Sequence, residues 1–120
     1  MKKMTGLVAS IAVPAFLIAG AMASSAMAAD PTVKVLVEND KVRVTETTFK
    51  PGDENKAVNA TKPRVLRILK GGTVERTYAD GKKEKIVYKT GDVRYLEPGP
   101  GYAAKNVGKT TYMVYAVQVK

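Results

Sequence analysis

From residue 32 onward, apolar and polar positions alternate with a period of two in short runs, the pattern of half-buried strands. The segment "TVKVLVE" (Thr32–Glu38) is valine-rich and alternates; "END" then breaks it. "KVRVTETTFK" (Lys41–Lys50) alternates again and stops at the turn pair Pro51-Gly52. "DENKAVNATKP" is polar and reads as a loop with one short extended piece. "RVLRILK" (Arg64–Lys70) predicts a strand ended by Gly71-Gly72, with Arg64, Leu66 and Ile68 on one face and Val65, Arg67 and Leu69 on the other. "DVRYLE" and "YAAKNV" flank a Gly/Pro turn, and "TTYMVYAVQVK" (Thr110–Lys120) closes the chain with aromatic and β-branched alternation. No helical period, internal repeat or linker interrupts the series. About eight short strands at this spacing predict an all-β sandwich or barrel.

The segment "TVERTYADGKKEKIVYKTGD" is the clearest hairpin, and its charges choose the register. A two-residue loop at Asp80-Gly81 would set Arg76 opposite Lys85, which is repulsive. A three-residue loop, Ala79-Asp80-Gly81, pairs Arg76 with Glu84, Glu75 with Lys85 and Val74 with Ile86. Each such pair contributes about 0.2–1 kcal/mol. Gly81 then takes the left-handed position of the bulged turn.

Before residue 30 the pattern is different. Lys2 and Lys3 precede "GLVASIAVPAFLIAGAMA", apolar and rich in small residues, and Ala26 and Ala28 form a small-residue cleavage site. This is the three-part pattern of a secretory signal peptide. The run is also long enough for a membrane anchor, but the cleavage site and the Gly/Ala/Pro content favour removal. The expectation is a leader at 1–28 and one domain at 29–120, delivered to the periplasm or secreted, with no membrane association after cleavage. The remaining 92 residues can bury one modest core. They hold no cysteine, so packing and hydrogen bonds must stabilise the fold without disulfides. Their formal charge is +7, from lysines scattered along the chain. Scattered charge in an exported protein argues against nucleic acid and for a bias toward anionic ligands or surfaces.

The order of motifs resembles the small single-domain cupins. Their second motif, G-(X)5-P-X-G-(X)2-H-(X)3-N, is matched by Gly91, Gly99 and Asn106; Glu97 takes the proline position with Pro98 next to it, and Tyr102 takes that of the histidine. Their first motif, G-(X)5-H-X-H-(X)3,4-E-(X)6-G, is bracketed by Gly52 and Gly71. Arg64 falls on the glutamate position, and the two histidine positions fall on Val58 and Ala60, or on Asn59 and Thr61 with one more loop residue. The resemblance implies a cupin-type β-barrel (a double-stranded β-helix or jelly roll) in which the scaffold glycines are kept and the metal-ligand positions are replaced.

The chain has no histidine and no cysteine, and four of its five methionines lie in the leader. The ligand types for a transition metal are therefore missing, and no metal or cofactor is expected. Metal-free cupin-like enzymes work as isomerases or lyases. Here the candidate acids and bases are Tyr102, Tyr95, Glu97 and Glu46, although tyrosines in a barrel usually serve packing. The leading expectation is a binding module for a small anion, with Arg64, Tyr102, Tyr95, Glu97, Asn59 and Thr61 around its site and Tyr95 adding an apolar wall. Arginine can grip a carboxylate through two parallel hydrogen bonds. The competing expectation is an internal ion pair of Arg64 with Glu46 or Glu97, which would leave the pocket inert. Two further readings are an isomerase or lyase using Tyr102 and an acidic partner, and a structural subunit without a pocket that pairs through edge strands as a homodimer.

Overall fold

The structure, a computed structural model, describes residues 28–120; the leader expected over 1–28, apart from Ala28, lies outside the described residues. These residues form nine strands and no helix: β1 (Thr32–Glu38), β2 (Val42–Phe49), β3 (Glu54–Val58), β4 (Arg64–Lys70), β5 (Gly72–Tyr78), β6 (Lys83–Tyr88), β7 (Val93–Leu96), β8 (Tyr102–Asn106) and β9 (Tyr112–Val119). β1 and β4 coincide with the runs read from alternation. The ninth strand, beyond the eight expected, is β3, the extended piece of the polar segment. The strands make two antiparallel sheets, one of five in the order β1-β2-β9-β4-β7 and one of four in the order β3-β8-β5-β6. The hairpin β5–β6 has the register chosen by its charges: Arg76 opposite Glu84, Glu75 opposite Lys85 and Val74 opposite Ile86. Gly81, at φ 88°, turns its loop.

The two sheets face each other over a core of Phe49, Leu66, Ile68, Val74, Tyr88, Ala104, Tyr112 and Val114. Tyr112 stacks on Tyr88 with ring centroids 5.5 Å apart and lies at the same distance from Phe49. Gly71 joins β4 to β5 where a side chain has no room, since a Cβ there would lie 2.5 Å from the Tyr88 carbonyl oxygen.

Asn106 closes one end of the barrel. It is fully buried. Its side-chain amide donates to the carbonyls of Phe49 (2.9 Å) and Thr110 (2.8 Å) and accepts from the Gly108 N–H (3.0 Å). Its backbone exchanges hydrogen bonds with Gly52 and Asp53, both at 2.9 Å. One residue thereby joins the β2–β3 turn, the end of β8 and the β8–β9 turn. Buried polar groups must be paired in this way to avoid the cost of lost hydration.

Candidate functional site

The registers stack the inward residues of the large sheet in rows, and the rows grow more polar along the barrel. Phe49 pairs with Tyr112, Thr47 with Val114, Thr45 with Ala116, and Arg43 with Gln118, which in turn pairs with Arg64. The small sheet shows the same progression. Ala104 lies between Arg76 and Asn55, and Tyr102 lies between Tyr78 and Val58. The apolar end packs as the core, and the polar end stays open as a cavity of about 300 Å³. Thr45, Thr47, Asn55, Asn59 and Gln118 supply neutral polar groups to its wall, and Phe49, Leu66, Val74, Tyr88, Tyr112 and Val114 supply the apolar part.

Three arginines line this cavity (Arg43, Arg64 and Arg76), and no carboxylate does. Arg43 is bound to Glu38 at 2.7 Å. Arg76 reaches Glu84 only at 4.0 Å, and Glu84 is half exposed, so that pair is weak. Arg64 is in no ion pair among the described residues. Its Nη2 donates to the Tyr102 hydroxyl oxygen at 3.0 Å, while its Nε is buried without a hydrogen-bond partner. Arg76 donates to the Tyr88 hydroxyl oxygen at 3.1 Å and sits 4.5 Å from the Tyr102 ring centroid; the Arg64 guanidinium lies 5.8 Å from the same ring. Burial works against the charge on Arg76, but the surrounding tyrosine oxygens prevail and hold its pKa above the ordinary arginine value. Burial, with Tyr88 and Tyr102 adding to it, raises the Tyr112 pKa well above that of a free phenol. Both groups keep their protons at any physiological pH. Because Arg64 donates to the Tyr102 oxygen, the Tyr102 hydroxyl hydrogen is left to donate elsewhere.

The expected site is only partly assembled. Arg64, Tyr102 and Asn59 line the cavity. Thr61 does not; it is exposed and donates through its hydroxyl and backbone N–H to the Asn59 side chain, fixing the β3–β4 loop. Tyr95 is 59% exposed and supplies no wall. The reason is register: Leu96 stands opposite Arg64, whereas Tyr95 stands opposite Val65 and shares its outward face. Tyr95 donates to Glu97 at 3.2 Å, outside the barrel, so Glu97 is also remote from the site. Burial, and then the Glu97 charge, raises the Tyr95 pKa. Glu46 pairs with Tyr115 on the outer face of the large sheet. Neither carboxylate expected to neutralise Arg64 is therefore placed to do so. Of the two offsets for the first motif, the structure sets Val58 directly opposite Tyr102 and buries Ala60.

Arg76 was missed as a site residue. The signal was present, because pairing Val74 with Ile86 marks the inner face of β5, and Arg76 shares that face by alternation.

A cupin-type metal does not fit these residues. With either offset of the first motif the four ligand positions hold no imidazole, thiolate or carboxylate, and the Tyr102 phenol has two guanidinium groups beside it. A cation there would meet like charge and only neutral oxygen donors. Among the described residues no three acidic groups converge elsewhere.

Solved structures with the same fold are numerous. A cupin domain protein from Bordetella pertussis is 19% identical, with a TM-score of 0.71 over 78% of this chain and 97% of its own. A double-stranded β-helix protein from Klebsiella pneumoniae is 22% identical, with a TM-score of 0.59 over 75% of this chain and 76% of its own. A polyketide cyclase from Streptomyces resistomycificus is 16% identical, with a TM-score of 0.57 over 75% of this chain and 65% of its own. No family model and no curated relative matches the sequence. The fold is the double-stranded β-helix that these cupin structures share.

Proposed function

We propose that this chain is an exported binding protein whose barrel takes a small organic anion without a metal. The observation that supports the reading is the cavity wall: Arg64 and Arg76 bring two guanidinium groups to Tyr102, and no carboxylate lines the cavity to balance them. Buried charge is normally paired, and a bound anion would complete the site. Its charge would face Arg64 and Arg76, with the Tyr102 hydroxyl as an added donor. The threonines and amides on the wall suit a ligand that also carries hydroxyl groups, such as an acidic or sulfated sugar. Desolvation opposes binding, and the bidentate geometry of arginine offsets it.

The lyase or isomerase reading needs an acidic partner for Tyr102. Its two candidates, Glu46 and Glu97, both face away from the cavity, so binding is favoured over turnover.

A thermal-shift screen of carboxylates, sulfates and acidic sugars on the wild type, Arg64→Ala and Arg64→Lys tests the proposal. An anion should stabilise the wild type and lose about ten- to a hundredfold in affinity on Arg64→Ala, the loss of one charged hydrogen-bonding group. Arg64→Lys should retain part of the affinity. Absence of any stabilising anion, or equal affinity in all three proteins, would sink the reading.

A further inference from the structure

We propose that the ligand is an acidic oligosaccharide, with one sugar held in the barrel and the next in a groove that runs over its rim. This rests on the anion reading above and adds a second subsite to it. The groove has a volume of about 430 Å³. It lies at the cavity mouth, where β3 and β5 end and β8 begins, and its lining includes Lys56, Asn59, Thr77, Tyr78 and Ala103. It shares Val58, Asn59 and Tyr102 with the cavity. By alternation Tyr78 and Tyr102 face into the barrel, whereas Thr77 and Ala103, which pair with each other, face out. A groove lined by both sets crosses from the mouth to the outer face of the small sheet. A register shift between Asn55 and Val58 takes Lys56 out of the regular β3–β8 ladder, which is how sheets re-aim a side chain beside a site.

The groove repeats the electrostatics of the cavity. Lys56 is exposed and is in no ion pair among the described residues, and no described carboxylate lines the groove. Tyr78 donates its hydroxyl to Glu84 at 3.0 Å and sets its ring edge to face with Tyr102, centroids 5.7 Å apart.

The cavity, at about 300 Å³, is at the lower limit for a small-molecule site. A longer ligand must leave through the mouth, where this groove begins. Outside it meets a cation, neutral polar groups and tyrosine rings, not an apolar channel. An acyl tail would gain little there. A sugar can offer hydroxyls to Asn59 and Thr77 and its C–H face to a tyrosine ring, whose body is apolar and whose tip is polar. A chain of acidic sugars repeats its carboxylate from unit to unit. The cationic groups repeat in step, with Arg64 and Arg76 inside and Lys56 outside.

The test is isothermal titration calorimetry of the protein expressed from its complete sequence, with galacturonic acid, its disaccharide and triglutamate as probes. The disaccharide should bind about tenfold more tightly than the monosaccharide, because linking two units makes the second contact intramolecular. Ala103→Trp fills the groove from an outward strand position, where an aromatic ring is well accepted. It should remove the disaccharide's advantage and leave the monosaccharide's affinity unchanged. Lys56→Ala should lower the disaccharide's affinity about two- to fivefold, the loss of one exposed charge contact. Circular dichroism checks the fold of each variant, and should Ala103→Trp fail to fold, Thr77→Trp fills the same groove from the next strand. A monosaccharide that binds as tightly as the disaccharide, or an advantage that survives the filled groove, overturns the second subsite and leaves the anion reading standing. Tighter binding of triglutamate than of the disaccharide overturns the sugar assignment. So does binding of neither sugar where another anion stabilises the protein. If no anion binds at all, the anion reading fails and this inference fails with it.

Discussion

Replacing Asn106 with alanine removes three hydrogen bonds at once from the closed end of the barrel. The Phe49 and Thr110 carbonyls each lose a donor, and the Gly108 N–H loses an acceptor. The Phe49 contact is buried, so that carbonyl bears the cost of an unmet buried group, about 1–3 kcal/mol. The other two are partly buried, and water can recover part of each, leaving about 0.5–1 kcal/mol apiece. The sum spans about 2–5 kcal/mol; even about 3 kcal/mol is a large share of the 5–15 kcal/mol that holds a domain together. For a domain of this size each kcal/mol lowers the melting temperature by about 4–8 °C, so Asn106→Ala should melt about 12–24 °C below the wild type. Differential scanning calorimetry at pH 7 measures this directly. Asn106→Asp sharpens the test. It keeps the shape and the acceptor for Gly108, but it turns a carboxylate oxygen toward the two carbonyls in place of the N–H donors. It should be no more stable than the alanine variant at pH 7 and should recover below pH ~4, where a protonated carboxyl can donate. A loss under about 1 kcal/mol for Asn106→Ala, or an aspartate variant as stable as the wild type at pH 7, would refute the reasoning that this amide holds the turns together.

Three further outcomes are expected. Gly71→Ala places a Cβ 2.5 Å from the Tyr88 carbonyl oxygen and 2.9 Å from the Thr90 nitrogen, both backbone, and should cost about 1–3 kcal/mol in urea denaturation; an unchanged midpoint would show that the junction yields freely. The hydrogen bond from Lys120, with the Arg43 charge adding to it, holds the Glu38 pKa below the usual 4.5. Its contribution is therefore complete above that value and disappears as pH falls through the folded one, so melting of the wild type should drop more steeply than that of Glu38→Gln below pH 4.5, whereas parallel curves would contradict the clasp. Intact-mass measurement of the exported protein should give a chain beginning at Ala29, and a full-length mass in a membrane fraction would contradict the leader.

Alternation alone was enough to place most of the strands, because a strand with one face in a core must repeat every two residues whatever its neighbours are. The hairpin register was legible for an equally local reason: opposed charges and a Gly81 turn admitted one pairing and penalised the other. Alternation put Arg64 on one face with Leu66 and Ile68, but the other face, with Val65 and Leu69, is also apolar, so its inward direction rested on the cupin resemblance. Tertiary structure decided which strands became neighbours. Tyr95 looked like a cavity wall because it lies on a strand expected near the site, yet pairing Leu96 with Arg64 turned it outward, and Glu97 stayed outside the barrel. No pattern within β7 carries that register, since it depends on where β4 lies in the finished sheet. The gathering of Arg43, Arg64 and Arg76 about one cavity is of the same kind. They are spread over three strands and two sheets, and their closeness is a property of barrel closure rather than of any stretch of sequence.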